Sequence, residues 1–369
     1  MPERRRLALD KIVRLKRGFD LPEPVRRPGC YPVMGSAGIS GWHDEGPIAG
    51  PGVTIGRSGS SIGVATYYPG RFWPLNTTLF VEDFLGNDPR FVYYLLRQLD
   101  FKGFDSGSAQ PSLNRNYIAS ISVSLPGLRE QKAISALIGA LDDKIAVNQR
   151  TADTSCELAL SLFSEERWSS RTSLSSLCSL RKSQVMPSTL NVPAVAHYSL
   201  PAFDNGQVPD ICSPDKILSA KFLVDQPGVL LSKLNPDIPR VWRVEPKAGV
   251  PALASTEFLV LLPNPTITTA ELWAVARQGE FLCRLAARVT GTSKSHQRVR
   301  PDEILASDVV DPRATNETTR QQVVSLVERA EQAREESIAL AQLRDLLLPK
   351  LISGELRVED ADHVISDAA

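Results

Sequence analysis

The sequence predicts an α+β chain made of two similar globular units and two long helices. Three observations carry that prediction. Short segments recur in the same order about half a chain apart, β-type runs rich in Gly, Pro and Ser precede each long helical stretch, and both of those stretches keep a helical repeat over many turns. With 369 residues, 42% apolar and 23% charged, the chain has room for about two to three domains with a sizeable core, which excludes wholesale disorder and a fibrous protein.

The recurrence is read directly from the residues. Pro51-Gly52-Val53 returns as Pro227-Gly228-Val229, an offset of 176; Val81 in LFV returns as Val260, an offset of 179; Gln131 returns as Gln321, an offset of 190. Each match is short, but their common order and slowly growing offset are what a duplicated unit with small insertions produces.

The elements follow in order. Residues 1–126 form the first unit, with β-type runs VTIGRS, GVATYY, TTLFV and SISVSLP and one helix over Pro89–Leu99 that puts Phe91, Tyr94, Leu95 and Leu99 on one face. Residues 127–168 hold the first long helix, starting behind Pro126-Gly127 and running from about Leu128 to Glu166. Its seam is Ile134, Ile138, Leu141, Ile145, Asn148, Ala152, Ser155, Ala159 and Leu162, alternating steps of four and three as in a coiled coil, with Asn148 as a register-fixing polar position. Residues 169–312 repeat the first plan, with VLLSKL, RVWRVE and TEFLVLL and a helix near Ala270–Ala287. Residues 313–350 hold the second long helix, from about Thr315 to Leu348 and stopped by Pro349. Val323, Val327, Ala330, Ala341 and Leu348 make its seam, interrupted by Arg334, Ser337 and Arg344. Residues 351–369 form a C-terminal tail. If the helices pair antiparallel, each spans roughly 54–58 Å at 1.5 Å per residue, against about 34 Å for a turn of B-DNA.

Charge is balanced overall, 42 basic residues against 42 acidic, so net charge names no partner. Its distribution does more. Residues 1–30 carry nine Lys/Arg against four Asp/Glu, and residues 277–300 carry six against one. The basic and amide side chains fall in loops at comparable places in both halves: Arg57 and Ser58 in GRSGSSIG, Arg71, and Gln110, Asn114 and Arg115 in GSAQPSLNR; then Lys233, Asn235 and Arg240 in SKLNPDIPR, and Lys294, Gln297, Arg298 and Arg300 in GTSKSHQRVR. Arg, Lys, Asn and Gln read base edges, and Ser, Arg and Lys hold phosphates, so these thirteen residues are the candidate DNA-binding set.

Catalytic and metal chemistry find no purchase. The five cysteines are scattered without metal-ligand spacing and read as reduced, which suits a cytoplasmic protein. The apolar runs, such as Glu257–Leu262, are too short to span a bilayer, and no apolar stretch follows Arg4-Arg5-Arg6 to make a secretory signal. There is no phosphate-binding G-x-x-x-x-G-K-[ST], GRSGS lacks the nucleophile-elbow order, and no Asn-Pro-Pro-aromatic motif is present. The Asp142-Asp143 pair sits on a helix and is expected to face water, and His296 is expected to be a plain surface histidine.

Several of these segments are similar to a known family. YPVMGSAGISGWHDE with PGVTIGRSGSSIG, the stretch GSAQPSLNRNYIASISVSLPGLREQKAISALIGALDDKIAVNQR, SKLNPDIPRVWRV in the second half, and the closing LRDLLLPKLISGELRVED resemble type I restriction–modification specificity subunits over almost the whole chain. The resemblance implies two target-recognition domains, at 1–126 and 169–312, separated by two long helices in an antiparallel coiled coil. It implies a non-catalytic DNA-reading subunit, each domain taking one half of a bipartite, asymmetric site. It also implies partners: double-stranded DNA, two methyltransferase subunits that use S-adenosylmethionine on adenine N6, and a restriction subunit with ATP and Mg, none of those cofactors belonging to this chain. One departure is local, with GTSKSHQRV standing where the pattern at Gly107–Asn114 carries Gln-Pro and Leu-Asn. A different class, a coiled-coil scaffold or degenerate subunit that reads no DNA, has the same sequence features; a true reader is separated from it by steep salt dependence of DNA binding.

Overall fold

The computed structural model describes residues 4–101, 103–104, 112–164, 170–288 and 297–361. The chain divides into two compact units, Met1–Val147 with Glu336–Ala369, and Asn148–Glu335. Each unit therefore contains a stretch of both long helices, Leu128–Leu162 and Glu317–Ser353.

In the first unit a four-stranded antiparallel sheet runs Arg14–Arg17, Thr78–Asp83, Gly52–Gly56, Ala65–Tyr68 in spatial order. Gly52–Gly56 is buried throughout, as expected of an inner strand built on Val53 and Ile55. Gly52 has no alternative, because a Cβ there would lie 2.1 Å from the Phe72 ring. The helix Pro89–Gln98, N-capped by Asp88, lays Phe91, Val92 and Leu95 on the sheet's Val53, Ile55, Leu79 and Val81. The same cluster takes in Ile134, Ile138 and Leu141 from the first long helix and Leu347, Leu348 and Leu351 from the second. Burying each such side chain is worth about 1.5–3 kcal/mol, so neither helix stretch stands without its unit's core. A smaller sheet, Tyr31–Gly35 between Gly38–His43 and Trp73–Pro74, and a two-strand ladder of Arg5–Ala8 with Ser122–Leu125 complete the unit.

In the second unit the four-stranded sheet has the same order: Cys178–Arg181, Phe258–Pro263, Gly228–Ser232, Val241–Val244. Its ladder of Arg171–Ser173 with Asp308–Val310 matches that of the first unit. The accessory sheet differs, with five short strands in place of three. Val229, Leu231, Leu259 and Leu261 pack on Ala270 and Trp273, then on Ala152, Cys156, Ala159 and Phe163 of the first long helix and Val323, Val327 and Ala330 of the second.

Within the first unit the two helix stretches run in opposite directions. Lys144 pairs with Glu336 at 3.2 Å and Asp142 with Arg344 at 2.9 Å, while Arg4 joins Glu130 to the Leu351 carbonyl at 2.9 Å. Two of the three polar residues that interrupt the second seam are thus matched rather than idle: Arg344 meets Asp142, and within the second unit Arg334 donates to the Cys156 sulfur at 3.2 Å.

Four expectations need correction. Pro349 does not stop the second long helix, which continues to Ser353 because Leu348 and Leu351 anchor that turn in the core; Gly354 ends it at φ +85°, its N–H on the Lys350 carbonyl at 3.0 Å. The helix near Ala270–Ala287 is two, Thr269–Ala276 and Gly279–Ala286, broken where the buried Gln278 side chain takes the Ala274 carbonyl. Asp142 does not face water; its carboxylate accepts from the Tyr94 hydroxyl at 2.7 Å and from Arg344, and only Asp143 lies at the surface, bound to Arg90. The repeat offset at the Val81 strand is 180, not 179. Ile55 pairs with Leu79 and Leu231 with Leu259, and a one-residue slip would turn every side chain to the other face.

Candidate nucleic-acid interface

In the first unit the strand Gly52–Gly56 delivers Arg57 to the sheet's end. Gly56 is compelled by sterics: a Cβ there would meet the Ser61 carbonyl oxygen at 2.0 Å and that of Ser36 at 2.5 Å. Arg57 is then clamped by its backbone on both sides. Its N–H donates to the Thr77 carbonyl at 2.9 Å, and its carbonyl accepts from the Leu113 N–H at 2.8 Å. Ser58 bridges to Ser112, and its hydroxyl lies 3.3 Å from that of Ser36. Among the described residues the half-buried Arg57 guanidinium reaches only the Asn76 carbonyl, at 3.4 Å; burial and the nearby Arg17 charge both weaken its hold on its proton. Asn114 caps the short helix Arg115–Ile118, accepting from the Asn116 N–H at 3.0 Å, and Arg115 donates to the Leu15 carbonyl at 3.4 Å.

In the second unit Lys233 is held the same way. Its N–H donates to the Glu257 carbonyl at 3.0 Å, and its carbonyl accepts from the Val299 N–H at 3.1 Å. Leu234 bridges to Arg298, as Ser58 does to Ser112. Arg57 and Lys233 are therefore equivalent positions by hydrogen bonding as well as by sequence offset. Asn235 follows at φ +48°, its N–H on the Gln297 carbonyl at 2.9 Å. Arg298 binds Glu257 through two hydrogen bonds of 3.1 and 2.9 Å, which hold that carboxyl below the usual carboxylate range. Arg300 is exposed at the start of the helix Pro301–Leu305.

The structure thus gathers Arg57, Ser58, Asn114 and Arg115 in one unit and Lys233, Asn235, Gln297, Arg298 and Arg300 in the other. Two candidates stand apart. Arg71 donates to the Gly46 carbonyl at 3.1 Å and neighbours Phe72, whose ring covers Gly52, the end of the strand away from Arg57 and about 17 Å distant at strand rise. Arg240 is buried, its guanidinium fork spent on Asp204 at 2.7 Å, and it secures the loop rather than presenting donors. Gln110, Lys294 and His296 lie outside the described residues. Sequence reasoning missed Thr77, Ser112 and Glu257. Glu257 opens the run Glu257–Leu262, and aligning the repeats at offset 180 would have set it opposite Thr77 beside the loop.

Glu257 gives a testable pH dependence. A carboxyl whose proton affinity is lowered on folding stabilises above its unfolded value, about 4.5, and loses that contribution as pH falls. Melting curves should show Glu257→Gln less stable than the native chain at pH 7, with the gap closing at pH 3.

This loop-and-sheet arrangement can be set beside known proteins. Residues 17–154 match the type I restriction modification DNA specificity domain. The chain resembles the specificity subunits of that family. Over 145 residues it is 24% identical to the type I restriction enzyme EcoprrI specificity subunit of Escherichia coli, an alignment covering 38% of this chain and 36% of that protein. The chain thus matches about a third of its curated relative's length. The S subunit of the M. genitalium type I restriction–modification system shares the fold, with a TM-score of 0.64 at 16% identity, covering 95% of this chain and 96% of that one. The specificity-domain match begins at Arg17 and ends within the first long helix, so it contains the Arg57 clamp entire. Among the described residues no group of three or more His, Cys, Asp or Glu is placed to hold a metal, and no helix is long and apolar enough to cross a membrane.

Proposed function

We propose that the chain is the DNA-reading subunit of a type I restriction–modification assembly. Each unit reads one half of a bipartite, asymmetric site, and the long helices set the gap between the halves. Methylation of adenine, with S-adenosylmethionine, belongs to two methyltransferase subunits, and ATP- and Mg-dependent cleavage to a restriction subunit where one joins. The observation that carries the reading is the matched backbone clamp that presents Arg57 in one unit and Lys233 in the other, each at the end of the corresponding strand of its own unit's four-stranded sheet. Two like devices with unlike side chains suit two dissimilar half-sites. For the gap, support comes from helices of 35 and 37 residues that both enter the core of each unit.

The test is a binding titration of the chain assembled with its methyltransferase subunits. One split sequence should be bound over competitor DNA, with affinity falling steeply as salt rises, because each neutralised phosphate releases counterions. A scaffold would show neither preference nor salt dependence. The gap has its own test. Inserting one heptad into both long helices should change the preferred spacing between half-sites without changing either half; an unaltered spacing removes the helices from that role.

A further inference from the structure

The second unit's loop carries a carboxylate among its cations, and the first unit's does not. In the second, Glu257 binds Arg298 and also feels Lys233. The corresponding places in the first unit are Thr77 and Ser112, by the same backbone hydrogen bond and the same bridge, and neither carries charge. What stands there instead is a group of arginines. Arg17 closes the edge strand Arg14–Arg17 and pairs with Leu79, whose other neighbour across the sheet is Ile55, two residues before Arg57. The Arg17 charge is close enough to disfavour protonation of Arg57. Arg115 reaches the carbonyl of Leu15 on the same edge strand.

No carboxylate pairs with Arg17, Arg57 or Arg115 among the described residues. Their neighbours on the edge strand are paired: Lys16 with Glu82 at 2.7 Å and Arg14 with Asp83 at 3.8 Å. Asp20 is engaged by the Asn76 amide. The Arg17 and Arg57 charges repel at the strand end, Arg115 lies along the same edge strand, and the cost is relieved by an anion from outside. The Ser58 hydroxyl, next in the chain after Arg57, lies 3.3 Å from that of Ser36, whose own proton goes to the Thr77 carbonyl at 2.7 Å.

We propose that Arg17 and Arg115, flanking the base-reading Arg57, seat a backbone phosphate of the DNA bound by the first unit, so that Arg17 is a phosphate contact rather than a base reader. This rests on the DNA-reading function above. Carried one residue past Arg181, the register sets Lys182 in the place of Arg17, and the bridges Ser58–Ser112 and Leu234–Arg298 set Pro301 in the place of Arg115, with the exposed Arg300 just before it; the second unit differs in carrying Glu257 beside its cations. The first unit accordingly contributes more of the salt-dependent affinity.

The test compares Arg17→Ala, Arg17→Lys and Lys16→Ala in the full chain assembled with methyltransferase subunits, titrated with duplex DNA from low to moderate salt. Arg17 is exposed, so the fold is retained. Arg17→Ala should weaken binding to specific and unrelated duplexes alike, roughly three- to tenfold, and reduce the magnitude of the log–log salt slope by about 1. Arg17→Lys should keep the slope, and Lys16→Ala should leave both quantities unchanged. A native complex that binds with a steep slope, alongside an Arg17→Ala complex with the same slope, overturns the seat and leaves the DNA-reading function standing. A native complex that binds no duplex overturns both.

Discussion

Asp142→Ala is expected to destabilise the chain by about 1–3 kcal/mol, the loss typical of leaving a buried donor without its acceptor. Asp142 joins three elements of the first unit: the helix Pro89–Gln98 through the Tyr94 hydroxyl, the first long helix on which it sits, and the second long helix through Arg344. Tyr94 is 0% exposed, so its hydroxyl finds no water to replace the lost acceptor. Arg344 keeps Asp345 at 2.8 Å, which limits the damage on that side. Asp142→Asn keeps an acceptor for the tyrosine and should fall between Ala and native. Denaturant unfolding of the full chain measures this, and a change under about 0.5 kcal/mol, the range of ordinary surface substitutions, contradicts the junction.

The second large effect is on binding. Arg57→Ala and Lys233→Ala should each weaken specific DNA binding by about 1–3 kcal/mol, roughly 5- to 150-fold. Both residues are clamped by backbone groups, which alanine retains, so the melting temperature should stay within a degree or two of native. Each change should act on its own half-site: Arg57→Ala relaxes one half of the recognised sequence and Lys233→Ala the other. Equal affinity for the native complex and both variants would remove the pair from the site.

Much of this architecture is legible in the residues. The seam of the first long helix runs through Ile134, Ile138, Ala152 and Ala159, all wholly buried, because a period of three and four marks one helix face whatever covers it. The equivalence of Arg57 and Lys233 is legible as an offset of 176. The failures have physical causes. Pro349 costs a helix hydrogen bond, but the Leu348 and Leu351 contacts outweigh it, and such tertiary gains leave no local mark. Asp142 reads as a solvated charge until Tyr94 and Arg344, 48 and 202 residues away in sequence, are brought to it. Arg240 reads as a loop cation because nothing in SKLNPDIPR points to Asp204. Arg17 reads as an ordinary strand-end cation, because its nearness to Arg57 arises only once the edge strand is placed in the sheet.

The most direct measurement is genome-wide mapping of modified adenines in a host that carries this chain with its methyltransferase subunits. One split motif is expected, its two halves unlike in sequence and separated by a fixed number of unread base pairs. A continuous motif, a palindromic one, or no motif that depends on this chain contradicts it.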